Sequence, residues 1–360
     1  MHLNILTPGP QSYNARAFLH PITMNRQLLR DASIEIHYYK KIENVLTDCD
    51  VLIIDSKYFK YWYQDEKKLE SMYQKLESFS KKTKVLFFDT TDSAGYVLGD
   101  VLPFVDGYFK HQLLIDKTAY LKPMYGRRAF SDFYHKENNV KDDKIYEENI
   151  TQVNDPLDLE KLDVFWNTGL ANYSYLGDYL GKVYKRCLID SLVRYPVNYT
   201  KPSRDRFLDI QCRVNTSYSK ASVSFQRKSI VEILKDRLQT KKLNRFAFYR
   251  EMKNSKIVLS PFGLGEITLK DFETFICGAV LMKPDMSHMY TWPNFYQKDI
   301  SYLSFDWDLK NLDEKIELVL SDRYSLVSIA EEGQKIYRYY LGNDGSKEFV
   351  NRFKHLLLGA

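Results

Sequence analysis

The chain has 360 residues, 44% of them hydrophobic and 28% charged, with a net charge of +5. That length exceeds what one hydrophobic core usually organises and predicts two domains. The small, dispersed positive charge favours anionic partners such as nucleotide diphosphates or membrane surfaces, and excludes nucleic-acid binding through a basic stripe.

From the amino end, "LNILT" (3–7) reads as a strand followed by a turn rather than as a signal peptide. Residues 13–32 have helical spacing and predict a helix broken or kinked at Pro21. "IEIHYY" (34–39), "DVLIID" (50–55), "KVLFFD" (84–89) and "VDGYFK" (105–110) read as strands, with a charged amphipathic helix around 66–79. Strands separated by helical segments imply parallel βαβ units. Residues 134–162 are polar and aperiodic and read as a linker or long loop. Alternation then resumes with "DVFWNTGL" (163–170), a helix around 175–195, the strand "RFLDIQCRV" (206–214) and helices at 227–238 and 246–255. The strands "KIVLS", "AVLMK" and "ISYLSF" follow, with helices at 268–277 and 312–321 and a helical end over 324–358 broken at Gly-Asn-Asp-Gly. The fold class expected is α/β, two successive Rossmann-like halves with parallel sheets and a helical C-terminal segment.

No apolar run approaches the ~18 residues of a membrane-spanning helix, and a cytoplasmic location is expected. The cysteines Cys49, Cys187, Cys212 and Cys277 form no CxxC pair, so no zinc site is expected from them. The 28 Tyr and 21 Phe fit half-buried strands and equally fit sugar-stacking surfaces.

Ligands of open parallel sheets bind beyond the carboxyl ends of the strands. The residues expected there include Thr7-Pro8-Gly9, Asp89 to Asp92, Lys110-His111-Gln112, Asn167-Thr168-Gly169, Arg213, Pro261 to Glu266 and Pro284-Asp285. The densest stretch is "SPFGLGEITLKDFETFICGAVLMKPDMSH", 260–288. Gly263 and Gly265 allow close backbone approach to a ligand and positive φ. The helix after them offers free N–H groups and a positive dipole end to phosphate. Glu266 and Glu273 share a face almost two turns apart. Glu273 can accept two ribose hydroxyls. The plainer reading makes Glu266 a dipole complement and Glu273 a solvated face residue.

This segment resembles the donor-nucleotide motif of GT-B glycosyltransferases, of the group 1 and exostosin-like families of surface-polysaccharide biosynthesis. The resemblance rests on Ser260-Pro261-Phe262-Gly263, Glu266, Asp271-Phe272-Glu273, Gly278 and Lys283 to His288. It is strongest over 256–306, with "TPGPQSYNARAFL" consistent in the first half. In the group 1 pattern seven residues separate two glutamates; here six separate Glu266 from Glu273. Glu273 fits the second, ribose-binding position.

The resemblance implies residues 1–150 as an acceptor-side domain, 151–322 as a nucleotide-sugar-binding domain, and 323–360 as helices packing back on the first. It implies transfer of a sugar from a nucleotide donor to a glycan or lipid-linked acceptor, with no cofactor or metal required and peripheral membrane contact permitted. Arg213 and Arg227 are then candidates for the diphosphate, and Asp285 and His288 for the donor. An inverting enzyme needs a general base. Asp92 and Asp89 stand at a strand end for that task, with His20 and His111 as further options, and Asp89 equally reads as a helix cap. The residues leave open a sugar-nucleotide epimerase and a non-catalytic binder on the same fold.

Overall fold

The computed structural model describes residues 1–143, 152–187, 189–237, 242–321 and 323–359. The division expected at 150/151 and the middle of the expected linker lie outside the described residues.

The first half carries β1 (His2–Leu6), β2 (Glu35–Tyr39), β3 (Val51–Asp55), β4 (Lys84–Asp89), β5 (Gly107–Lys110), β6 (Gln112–Leu114) and β7 (Leu162–Val164). All but β6 form one parallel sheet in the order β2-β1-β3-β4-β5-β7. β3 and β4 are buried on both faces almost throughout, which is why they read as unbroken apolar runs. β2 lies at the edge with Glu35 and His37 exposed. The expected helix break at Pro21 falls one turn later: α1 (Tyr13–Met24) contains Pro21 and stops at Asn25. Both the backbone and side-chain amides of Asn25 donate to the Pro21 carbonyl, at 3.0 and 2.8 Å, before α2 (Arg26–Asp31). α3 (Glu66–Ser80) and α4 (Ala129–Asn138) complete the first half.

The strand after the linker, expected to open the second half, instead completes the first sheet: Tyr108 pairs with Leu162 and Lys110 with Val164. After α5 (Gly177–Cys187) comes the second parallel sheet, β12-β10-β9-β8. It is built from β8 (Leu208–Gln211), β9 (Ser255–Leu259), β10 (Val280–Pro284) and β12 (Leu303–Phe305). Its helices are α6 (Ala221–Ile233), α7 (Arg245–Lys253), α8 (Leu269–Cys277) and α9 (Leu312–Ser321). Gly278 ends α8 in the left-handed region at φ 66°, and a Cβ there would meet the Thr200 carbonyl oxygen at 2.2 Å.

The halves are tied together. β11 (Met289–Thr291) pairs antiparallel with β6, Thr291 opposite Gln112. Both are short strands that the sequence pattern does not announce. α10 (Arg323–Tyr340) packs on β10 and α8, and α11 (Asn343–Gly359) crosses back to the first sheet. There Trp166 stacks on Phe18 and meets Phe349 and Phe353 of α11 at 5.1 and 5.7 Å. Lys84 Nζ donates to the Leu357 carbonyl at 3.0 Å. Two parallel α/β sheets with a helical C-terminal return give the two Rossmann-like halves that the sequence predicts. Among the described residues no helix is long and apolar enough to cross a membrane.

Candidate functional site

A cleft of about 360 Å³ opens between the halves, at the carboxyl ends of strands from both sheets. The first half contributes Asn14 of α1, Asp92 after β4, and His111 and Gln112 after β5. The second contributes Arg227 of α6, the loop Gly263–Gly265 after β9, and Thr268 and Leu269 where α8 begins. This is where open parallel sheets place ligands.

Arg227 dominates its electrostatics. The residue is 8% exposed. Its Nε donates to the Phe262 carbonyl at 2.6 Å and Nη1 to the Asn215 carbonyl at 3.2 Å, and the guanidinium lies 4.9 Å over the Tyr218 ring. Burial draws its pKa below the ordinary arginine value, yet a guanidinium stays charged in proteins. No acidic side chain among the described residues pairs with it.

Neither Gly263 nor Gly265 adopts positive φ; the positive-φ glycines among the described residues are Gly9, Gly126 and Gly278. What fixes Gly265 is close approach across the cleft floor. A Cβ there would stand 2.3 Å from the Asp92 carbonyl oxygen, a backbone contact that cannot give way. A Cβ on Gly263 would lie 3.4 Å from Arg227 Nη2.

In the first half, Asp92 is exposed and its Oδ1 accepts from Asn14 Nδ2 at 2.8 Å. His111 is 1% exposed, and its Nδ1 lies 2.8 Å from the Trp166 carbonyl. A carbonyl only accepts, so Nδ1 carries the proton and Nε2 is a bare acceptor. That Nε2 has no hydrogen-bond partner. Burial, against the help of the Trp166 carbonyl, pushes the imidazole pKa down to about 3. His111 is therefore held as a neutral imidazole whose acceptor nitrogen is buried beside the cleft.

Asp89 does not face the cleft. It is fully buried, 2.9 Å from Lys110 Nζ, and accepts from Tyr108 Oη at 2.6 Å and from the Thr91 amide at 2.8 Å. Burial alone raises its carboxyl pKa, but Lys110 and these donors hold it below the ordinary value. Glu266 is also fully buried and reaches across to the first half, accepting from Ser93 Oγ at 3.1 Å and the Ala94 amide at 2.9 Å. It fastens two loops rather than a donor. Arg213 does not reach the cleft with a free fork, because Nε and Nη2 grip both oxygens of Glu251. Asp285 pairs with Lys298 and caps the Ser287 amide at 2.7 Å. It lines a separate recess with His288 and Trp307. Both ring nitrogens of His288 are buried there without partners.

Glu273 lies in a pocket that shares Tyr13 and Leu269 with the cleft. It accepts from Tyr249 Oη at 3.0 Å and stands 3.6 Å from Arg245 Nη1. It is 8% exposed, and so is not the solvated face residue of the plainer reading. His20 lines the same pocket, its Nε2 buried and unpartnered and its pKa lowered by burial to about 3. The sequence reading did not single out Tyr13, Asn14 and Tyr218. The first two open α1 after "TPGPQS", beside the point between β1 and β3 where strand order reverses, which was the available signal.

No family model matches the chain, and no curated protein matches it significantly. Among solved structures it resembles a glycosyltransferase from Rickettsia africae ESF-5, at 10% identity over 100% of this chain and 99% of that one, with a TM-score of 0.45. It also resembles an alpha-glucosyltransferase in complex with UDP and a 13-mer DNA (12% identity, 99% and 98% covered, TM-score 0.39). A third is the S. aureus MnaA-UDP co-structure (11% identity, 99% and 96% covered, TM-score 0.37). Likenesses this distant carry no argument about activity, which has to come from the cleft.

Proposed function

We propose that this protein is a glycosyltransferase that moves a sugar from a nucleotide-sugar donor, bound between the two sheets, to a glycan or lipid-linked acceptor. The observation that carries the reading is Arg227, a buried guanidinium that among the described residues has carbonyl and ring partners and no carboxylate, opening on the interdomain cleft. A buried charge without a counter-charge is costly, and a diphosphate supplies one in a geometry that the guanidinium fork matches. Gly263, without a side chain, leaves the Arg227 fork uncovered beside it. The sugar then lies beside His111 and Gln112, and the nucleoside runs toward Glu273 in the adjoining pocket.

In the transfer step the bond from the anomeric carbon to the diphosphate oxygen breaks as the bond to the acceptor oxygen forms. The diphosphate leaves with the bonding electron pair, its charge met by Arg227 rather than by a metal. The acceptor proton passes to Asp92, the exposed carboxylate of the cleft. A lipid-linked acceptor is met at a membrane surface, which the net charge of +5 favours.

A thermal-shift series with UDP, GDP, CDP and dTDP tests the donor site. One diphosphate is expected to raise the melting temperature, by about 2.7 kcal/mol of added stability at a hundred times its Kd, and its parent nucleoside to do much less. No shift with any of them contradicts the reading. Conversion of the sugar nucleotide without acceptor points to an epimerase instead. Tight binding with no diphosphate released, whatever acceptor is supplied, points to a binder.

A further inference from the structure

At the amino ends of β1 and β2, on the rim opposite the cleft, the side chains of His2, Glu35 and His37 converge. Strand pairing brings them there. His2 stands opposite Glu35 in the parallel register, and His37, two residues along β2, shares the face of Glu35. His2 Nδ1 lies 3.3 Å from Glu35 Oε2, and His37 Nε2 lies 3.5 Å from Glu35 Oε1. One ligand atom from each residue falls within 4.8 Å of the others. In a tetrahedral site with nitrogen and oxygen ligands about 2.0–2.1 Å from the ion, neighbouring ligand atoms stand about 3.3 Å apart.

We propose that His2, Glu35 and His37 bind a divalent transition-metal ion of the zinc class at the outer edge of the first sheet. Imidazole and carboxylate together suit zinc, nickel or copper rather than magnesium or calcium. The backbone around the site is already fixed: the His2 amide donates to Asp50 Oδ2 at 2.7 Å and the Met1 amine to the Ser33 carbonyl at 2.8 Å. As bare ion pairs these contacts stabilise little, because all the side chains are at least half exposed. A metal uses the same convergence to clip the edge strand β2 to β1. The ion's remaining positions stay open to water or to a ligand from another molecule. Cysteine spacing gave no hint of this site, because its histidines are distant in sequence and meet only through the strand register.

The test is calorimetry on the full, tag-free chain after chelation, titrated with Zn²⁺ and Ni²⁺ and, as controls, Mg²⁺ and Ca²⁺. One equivalent of Zn²⁺ or Ni²⁺ is expected to bind, with no saturable heat from Mg²⁺ or Ca²⁺. His2→Ala and His37→Ala each weaken it by at least the roughly 10-fold that even an outer-shell partner costs, and the double variant abolishes it. Circular dichroism and nucleoside diphosphate binding stay as in the wild type, since these side chains lie outside the cleft. Absence of saturable uptake, leaving a surface ion-pair ladder only, overturns the proposal. So does unchanged uptake in the double variant, which places the ion on other histidines.

Discussion

If Asp92 is the general base of the proposed transfer, Asp92→Asn is expected to lower kcat by about 10²–10⁴-fold, the contribution of a positioned general base, while donor affinity and melting temperature stay near wild type. The side chain is exposed and its Oδ1 contact to Asn14 tolerates an amide, so the fold does not depend on its charge. It faces the cleft with Arg227 and His111, where the proposed transfer brings the acceptor hydroxyl. The neighbouring groups do not compete for the role. Asp89 has both oxygens committed beneath the cleft floor, and His111 is pushed by burial to a pKa of about 3. The assay is nucleoside diphosphate release with a cell-surface glycan extract as acceptor, beside donor binding by calorimetry. Full activity in Asp92→Asn removes Asp92 as base, and the anomeric configuration of the product by NMR then decides whether the enzyme retains configuration.

Lys110→Met destabilises the fold by about 3–5 kcal/mol, the cost of leaving one partner of a buried ion pair alone. Lys110 and Asp89 are register partners at the ends of β5 and β4, and both side chains are fully buried. Lys110 Nζ also donates to the Thr91 carbonyl at 3.1 Å, so its loss releases the loop that leads to Asp92. The pH dependence fixes the cause. In the wild type the Asp89 pKa is held low, so its contribution is complete above the unfolded carboxylate value near 3.8 and is lost as pH falls through the lower folded value. Without Lys110, only the Tyr108 and Thr91 donors oppose burial, and that pKa rises. The deficit of the variant is then largest at neutral pH and shrinks as acid neutralises Asp89. Urea unfolding at pH 7 and pH 4 measures it, and a deficit equal at both values contradicts the ion-pair account.

Much of the fold was legible because it is local. β1, β3 and β4 are buried apolar runs flanked by polar turns, and the strand-turn-helix-strand order of 255–284 follows from Gly263, Gly265 and Gly278 around amphipathic α8. The strand-end rule brought Asp92, His111 and the Gly263–Gly265 loop to one cleft. What remained hidden depends on distant partners. Asp89 is the last residue of β4, and only its register with Lys110 shows that it is already paired. Glu266 sits in the motif of a donor ligand, yet Ser93 and Ala94, from the other half of the chain, claim its oxygens. The sequence favours Arg213, directly after a strand, over Arg227; Glu251 pairs with the first, and among the described residues no carboxylate pairs with the second. β6, β11 and the place of β7 in the first sheet come from pairings too short or too remote to leave a periodicity.

Calorimetric titration of the best nucleoside diphosphate against wild type and Arg227→Gln tests the central claim most directly. Glutamine keeps an amide donor for the Phe262 carbonyl and removes the charge that faces the cleft. If the cleft holds a diphosphate on Arg227, affinity falls by about 1.5–3 kcal/mol, or roughly 10–150-fold, with the melting temperature of the free protein little changed. Equal affinity in the two proteins contradicts the account.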